Sequence, residues 1–274
     1  MNEDLVEQAL GIIDRAVEEH QPSHVFALFS GGDDSLASTH LAMQHPSFTA
    51  AAHINTGIGI EQTREFVRGT CKGWGIDLLE LHPDDKTYDE LVLDKGFPRG
   101  KHSHNAMYYY LKQRQVRRLV REHKQHAKDR IGLITGVRIA ESSRRMAADL
   151  AVEVRREGAQ LWIQPVLHFT KADLYAYFKA EGIERNEVSR HLHRSGECLC
   201  GAMANQEEIK VIEYFYPDAA ERIHALERQC KAKGLVDSTW AAPSVAPGKT
   251  WEEHYESTGQ YPLMPLCIDC EERP

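Results

Sequence analysis

Three groups of residues have types and spacing that can do chemistry. Ser30-Gly31-Gly32-Asp33-Asp34-Ser35 follows directly on the apolar run Val25-Phe26-Ala27-Leu28-Phe29. A buried strand ending in small residues lets the backbone turn sharply, so loop N–H groups and the start of the next helix converge on an anion. Gly31 and Gly32 allow close approach, Ser30 and Ser35 offer hydroxyls, and Leu36, Thr39, Leu41 and Ala42 continue with helical spacing. The chemistry is that of a pyrophosphate cradle, and the bland alternative is a turn capped by Asp34 or Ser35. In the second group, the run Ile131-Gly132-Leu133-Ile134-Thr135 leads into Gly136-Val137-Arg138-Ile139-Ala140-Glu141-Ser142-Ser143-Arg144-Arg145. Guanidinium groups clamp phosphate oxygens bidentately, and Glu141 can orient one of them; the alternative is a solvated charged loop. The third group is Cys198-x-Cys200 with Cys267-x₂-Cys270, four soft ligands that suit a tetrahedral Zn²⁺ or a [4Fe–4S] cluster. A redox dithiol or sulfur-carrying cysteines are the alternatives to a metal. Cys71 and Cys230 lie on helical patterns and read as buried apolar residues.

Alternating elements must position these groups. Strand-like runs fall at 24–30, 48–54, 76–81, 130–135 and 161–166, and helical patterns at 2–20, 35–44, 60–73, 86–94, 104–125 and 170–181. Thr170 reads as the N-cap of the last helix, with Asp173 at its third position. This alternation predicts a doubly wound, mainly parallel α/β sheet whose site lies beyond the carboxyl ends of its strands. From about residue 185 the strand signal stops, which predicts an α/β nucleotide-binding domain over 1–185 and a helical, cysteine-bearing appendage over 186–274. Its helices are expected near 205–214 and 217–233. There is no GxxxxGK[ST] spacing and no GxGxxG, so kinase and dehydrogenase readings fall away.

The 274 residues are 42% hydrophobic and 27% charged, a soluble globular composition, and no run approaches the roughly 20 apolar residues of a membrane span. The polar, acidic start Met1-Asn2-Glu3-Asp4 is not signal-like, so a cytoplasmic protein without membrane partners is expected. A net charge of −8 argues against a generally basic surface, yet between Arg99 and Arg130 ten lysines and arginines face only Glu122 and Asp129. On a helical wheel Arg114, Arg117, Arg118 and Arg121 share a face opposite Tyr109, Val116, Leu119 and Val120. Such a stripe can track DNA or RNA, with Tyr108-Tyr109-Tyr110 available for stacking; a solvated face, or one binding the nucleotide's own phosphates, is the alternative.

Residues 30–35 resemble the SGGxDS loop of the PP-loop ATP pyrophosphatases, with Asp33 where many relatives carry Lys. That departure predicts reliance on Mg²⁺ or on arginines elsewhere. Asn55-Thr56-Gly57 with Glu61-Gln62-Thr63 resembles the TG-x₄-ET segment of the phosphoadenosine-phosphosulfate (PAPS) reductase branch. Gly136, Arg138, Glu141, Ser142 and Arg144 match its GxRxxES-x-R signature, and the 165–174 segment its P-x₃-W-T-x₂-D-[VL], with Phe169 in the Trp position. The resemblance covers residues 25–185. It implies a HUP-type fold with five parallel strands and an adenine nucleotide, ATP or an adenylyl sulfate, whose base is held near the second strand. On that basis Asp34, Arg138 and Arg144 are the expected catalytic residues, and Ser30, Gly31, Gly32, Asp33, Ser35, Asn55, Thr56, Gly57, Gly136, Glu141 and Arg145 the expected nucleotide contacts. Cys198, Cys200, Cys267 and Cys270 are the expected metal ligands, and the family tilts the choice to iron–sulfur over zinc.

Iron–sulfur sulfonucleotide reductases carry a Cys-Cys pair roughly where this chain has His102-Ser103-His104-Asn105, and the C-terminal ECGLH-like segment of thioredoxin-dependent PAPS reductases is absent. The chain is also similar to Dnd- and Ssp-type DNA phosphorothioation proteins. That likeness implies adenylation of an acceptor, with nucleic acid and a sulfur donor such as a cysteine desulfurase as partners. Sulfonucleotide reduction and a catalytically silent nucleotide-sensing module are the rival functions.

Overall fold

The computed structural model describes residues 3–84, 86–141, 152–202, 204–236 and 238–241. The chain runs α1 (Glu3–His20), β1 (His24–Leu28), α2 (Asp33–Ala42), β2 (Phe48–Ile54), α3 (Glu61–Trp74), β3 (Leu78–Leu81), α4 (Tyr88–Lys95) and α5 (Gly100–Tyr108). A π-helical turn (Tyr109–Gln113) then leads into α6 (Arg114–His123), β4 (Ile131–Ile134) and a 3₁₀ turn (Ile139–Glu141). The rest is β5 (Val154–Glu157), β6 (Gln160–Ile163), α7 (Lys171–Glu181), α8 (Glu187–Leu192), α9 (Gln206–Phe215) and α10 (Pro217–Ala232).

The six strands form one sheet in the order β3-β2-β1-β4-β6-β5. The five expected strands are parallel to one another, and β5 pairs antiparallel with β6 through the turn at Gly158. Strand neighbours alternate between the two faces, as a buried sheet requires. Val25, Ala27, Phe29 and Ala51 pack beneath α1, α2, α3 and α7, while Phe26, Ala50, Ala52 and Leu133 pack beneath α6. A separate apolar cluster joins α4, α5, α8, α9, α10 and Trp240.

Local chemistry sets the helix ends. The predicted Thr170 cap is part of a reciprocal capping box: Thr170 Oγ1 accepts from the Asp173 amide at 3.2 Å, and an Asp173 carboxylate oxygen accepts the Thr170 amide at 2.9 Å. Gly182, at φ +66°, closes the same helix in the left-handed region. The stretch read as one helix over 104–125 is continuous but not uniformly α: the π turn inserts before α6 and rotates the residues that follow.

The order of strands reverses between β1 and β4, which face each other at the centre of the sheet. Their carboxyl ends define the crevice where ligands bind in open α/β sheets. The loop at 30–35 leaves β1 there, and the segment beginning at Gly136 leaves β4 there.

Candidate functional site

Helix α2 begins without a side-chain cap. Its N-cap is Gly32, in extended conformation, so the first-turn N–H groups of Asp33, Asp34 and Ser35 are not engaged by a capping side chain. With the positive end of the helix dipole beside them, such N–H groups are suited to an anion. The serine hydroxyls work within the loop: Ser35 Oγ donates to Gly32 O at 2.9 Å, and accepts the Ser30 amide at 3.2 Å and the Ser30 hydroxyl at 3.0 Å. They hold the loop's shape, and the backbone supplies the outward donors.

Gly136 is positioned against this loop by close packing. A Cβ built there would lie 2.3 Å from Asp34 C and 2.6 Å from both Asp34 O and Ser35 N. Only glycine lets the end of β4 touch the first turn of α2. Two residues on, Arg138 is 4% exposed and its Nε donates to Asp34 Oδ1 at 2.6 Å. The pair bridges the two central strand ends, so Arg138 holds α2 in place as well as adding positive charge to the crevice.

Asp33 has a partner that local pattern does not reveal. Arg185 Nε donates to Oδ1 at 3.0 Å and its terminal nitrogen to Oδ2 at 2.5 Å, while the guanidinium stacks 4.1 Å above the Tyr175 ring. Arg185 thereby neutralises the Asp33 carboxylate beside the loop. An Asp33→Lys variant sets like charges face to face and is expected to lose about 2 kcal/mol of stability. Adding Arg185→Glu should recover at least half of that, measured by urea unfolding of both variants.

The segment after β2 has its own lock. Asn55 Oδ1 accepts the Gly57 amide at 3.0 Å, an Asx turn, and Asn55 Nδ2 donates to Glu80 Oε1 at 2.9 Å. Arg68 binds the same Glu80 carboxylate through two nitrogens. That hydrogen-bonded arginine, helped by Asn55 and opposed by burial, pulls the Glu80 carboxyl down to about 2. A depressed folded-state value means that its stabilisation is complete above the unfolded value near 4.5 and is lost as pH falls toward 2. Glu80→Gln is therefore expected to cost about 2 kcal/mol at pH 7 and to flatten stability between pH 5 and pH 2, followed by denaturation across that range.

Glu197 has no local signature in the sequence, yet it is buried beside the strand ends. Its carboxylate is 1% exposed, accepts the Thr56 amide at 2.8 Å, and lies 3.2 Å from His53 Nε2 and 3.6 Å from Arg64 Nε. His53 Nδ1 donates to Phe29 O at 2.8 Å, and Thr56 Oγ1 donates to Glu197 O at 2.6 Å. Thr63 Oγ1 donates to Ser195 O at 2.5 Å, while Asn186 Nδ2 and Ser189 Oγ donate to Gly31 O. These bonds strap residues 185–197 across the loop after β1 and the turn after β2.

The strap delivers Cys198 and Cys200. The carbonyls of Leu199 and Cys200 accept from Trp240 Nε1 at 2.6 Å and Tyr88 Oη at 2.9 Å, which fixes the backbone between the thiols. A hydrogen bond from Cys200, reinforced by Lys112 and Arg194 against the effect of burial, holds the Cys198 thiol below the ordinary thiol range. Thiolate is the form that binds soft metals or attacks sulfur. Cys200 Sγ is 3.9 Å from His104 Nδ1. Among the described residues no three His, Cys, Asp or Glu side chains form a metal-binding group. Cys267 and Cys270, expected to complete one, lie outside the described residues, as do Ser142, Ser143, Arg144 and Arg145. Glu141 closes the 3₁₀ turn. Cys71 and Cys230 are buried as expected, at 1% and 0% exposure.

On α6 the arginines divide. Arg118 pairs with Asp84 and Glu122, and Arg114 and Arg117 lie over the Tyr110 and Tyr109 rings at 6.0 and 5.7 Å. Tyr108 and Tyr109 are exposed. No described helix is long and apolar enough to cross a membrane.

A mostly parallel sheet with an anion-binding loop at its switch point and a glycine-fitted neighbour at β4 defines a PP-loop domain. The phosphoadenosine phosphosulfate reductase domain model matches residues 24–263, and the chain belongs to that family. A curated relative, an uncharacterised protein of Methanocaldococcus jannaschii, is 27% identical over 223 residues, which are 79% of this chain and 51% of the relative. The chain thus spans about half the length of that relative. Among solved structures it resembles a PAPS reductase from Candida auris in complex with phosphate, with TM-score 0.50 and 16% identity over 67% of this chain and 84% of that one. It also resembles the U34-tRNA thiolase NcsA of Methanococcus maripaludis with its [4Fe–4S] cluster, with TM-score 0.44 and 16% identity over 84% of this chain and 80% of that one.

Proposed function

We propose that the protein binds ATP with its triphosphate at the start of α2 and adenylates an acceptor for sulfur transfer, as in DNA phosphorothioation. The observation that carries this reading is the uncapped α2 terminus locked against β4 through Gly136 and Arg138, with a strap bearing two free cysteines bound across the same loop. An acceptor oxygen attacks the α phosphorus, and the bond to the β phosphate breaks with pyrophosphate taking the electron pair. The outer sulfur of a persulfide on a donor protein such as a cysteine desulfurase then attacks the activated acceptor atom, and AMP leaves with the acceptor's oxygen; a thiol reductant cleaves the resulting S–S bond, leaving the sulfur on the acceptor and the donor cysteine in a disulfide with that thiol. Backbone N–H groups of residues 33–35 neutralise the leaving pyrophosphate, and positioning with charge stabilisation supplies most of the catalysis. Asp33 and Asp34 both carry arginine partners, so Mg²⁺ would be held chiefly by the nucleotide's own phosphates. Arg144 is assigned to those phosphates by the family pattern, and Arg145 by the phosphate-clamping chemistry of a guanidinium beside it.

Cys198 and Cys200 fit two positions of a four-thiolate site, because both are free and the backbone between them is fixed. Cys267 and Cys270 would supply the others. A [4Fe–4S] cluster bound there would hold or activate sulfur; zinc would serve as a structural tie. We read residues 1–185 as the nucleotide domain and 186–274 as the region that carries this centre.

The acceptor is read as nucleic acid, engaged through the face of α6 that carries Arg114, Arg117, Arg118 and Arg121. The deciding experiment incubates anaerobically purified protein with ATP, Mg²⁺ and oligonucleotide. Acceptor-dependent pyrophosphate release is expected, and its absence with every DNA and RNA tried sinks the reading. The lowered Cys198 thiol also favours a second function, attack on the sulfur of an adenylyl or phosphoadenylyl sulfate. Sulfite release from either substrate would establish it.

A further inference from the structure

The cations that continue the basic segment beyond α6 gather at the opposite end of the sheet from the nucleotide crevice. Two adjoining cavities of about 550 and 400 Å³ lie there, sharing Lys124, Ala127 and Ala159 in their walls. They sit between the end of α6, the loop into β4 and the β5–β6 turn, at the amino ends of β4 and β6. Arg117, Arg121, Lys124, Lys128, Arg130 and Arg156 line them.

Two acids also line the cavities. Asp129 accepts the Gln125 and His126 amides, each at 2.7 Å, and Glu157 accepts from Arg155 at 3.1 Å. Among the described residues none of the six cations forms an ion pair, and the buried Arg130 Nε has no hydrogen-bond partner. In a protein of net charge −8, six cations against two acids around one concavity concentrate a positive potential that suits a polyanion. Arg117 connects the cleft to the Tyr109 ring at 5.7 Å, and Tyr108 and Tyr109 are 49% and 37% exposed.

We propose that this cleft is a second ligand site, which holds the sugar–phosphate backbone of a single-stranded polynucleotide. Its cations track phosphates, and the exposed tyrosines on the α6 side offer stacking surfaces to the bases. Concavity and adjacent aromatic rings favour a nucleic acid strand over a flat lipid surface. The site deepens the acceptor reading above: α6, about 15 Å long, joins the cleft to the π turn that carries Lys112 toward the Cys198 thiol. A strand anchored in the cleft is thereby led along the helix toward the reactive end of the sheet.

The test measures binding of a fluorescein-labelled single-stranded 20-mer to the full chain by anisotropy, without ATP, from 50 to 200 mM KCl. With about six phosphates neutralised, the slope of log K against log salt is expected near −4, and a Lys124→Gln/Lys128→Gln/Arg156→Gln variant should bind at least 30-fold more weakly with a slope about 2 units shallower. ATP binding by that variant should be unchanged. Absence of 20-mer binding, wild-type affinity in the variant, or equal competition by polyglutamate, inorganic phosphate or anionic phosphatidylserine vesicles would overturn the proposal. The adenylation reading fails separately: 20-mer binding without ATP-dependent pyrophosphate release leaves the cleft standing, and release without cleft-dependent binding leaves the active site standing.

Discussion

A Gly136→Ala variant is expected to lose measurable ATP binding and about 3 kcal/mol of stability. The added methyl would lie 2.3 Å from one backbone atom of Asp34 and 2.6 Å from two others at the start of α2. None of the three is the end of a flexible side chain, so either the end of β4 or the first turn of α2 must move as a unit. Movement of α2 swings its first-turn N–H groups away from the anion position and strains the Arg138–Asp34 bond across the same seam. Gly69 in α3 is the control, since a Cβ there meets nothing within 4 Å. Gly69→Ala should gain about 0.5–1 kcal/mol from helix propensity and leave ATP affinity unchanged. Calorimetric ATP titration and urea unfolding of both variants check the contrast; wild-type ATP binding by Gly136→Ala would mean that the nucleotide does not use the α2 terminus.

The second large effect is at Glu197. Glu197→Ala removes a carboxylate that is 1% exposed, taking the buried acceptor from the Thr56 amide and the negative charge from beside His53 Nε2 and Arg64 Nε, 3.2 and 3.6 Å away. Breaking a buried charge cluster on one side costs about 3–5 kcal/mol, which in a chain of this size lowers the melting temperature by roughly 10 °C. The strap should also detach from the turn after β2, because Glu197 is its main tie to Thr56. Iodoacetamide should then label Cys198 at least 10-fold faster in metal-free protein at constant pH. Glu197→Gln separates the contributions: an amide oxygen can still accept from Thr56, so thermal stability should fall by less than half as much. Unchanged labelling in Glu197→Ala would show that other contacts hold the cysteine segment.

Several residues show where legibility stopped. The five parallel strands are apolar runs buried on both faces, and such runs announce themselves locally. The edge strand β5 reads Val154-Arg155-Arg156-Glu157 and is half exposed, so its charges hid the pairing with β6. The insertion of the π turn at Tyr109–Gln113 escaped because one extra residue within a continuous helix leaves the surrounding apolar spacing nearly intact. On the same helix the wheel placed Arg118 with three other arginines, and only the folded chain brings Asp84 to neutralise it.

The motif residues 30–35 and 136–138 were legible because phosphate-binding loops draw their donors from the backbone beside them, so a short run of residue types carries the chemistry. Arg185 on Asp33 and Glu197 on Thr56 were not, since each contact spans more than 140 residues and neither residue has a local signature. The chain's order alone thus determined the α/β class and the Ser- and Gly-rich loop that ends β1, both of which follow from local spacing and hydrogen-bond chemistry. Tertiary packing alone decided that Asp33 is neutralised, that Gly136 must be bare, and that the cysteine strap lies across the nucleotide loop. Those outcomes depend on which distant groups share a buried volume, and burial is a property of the folded whole.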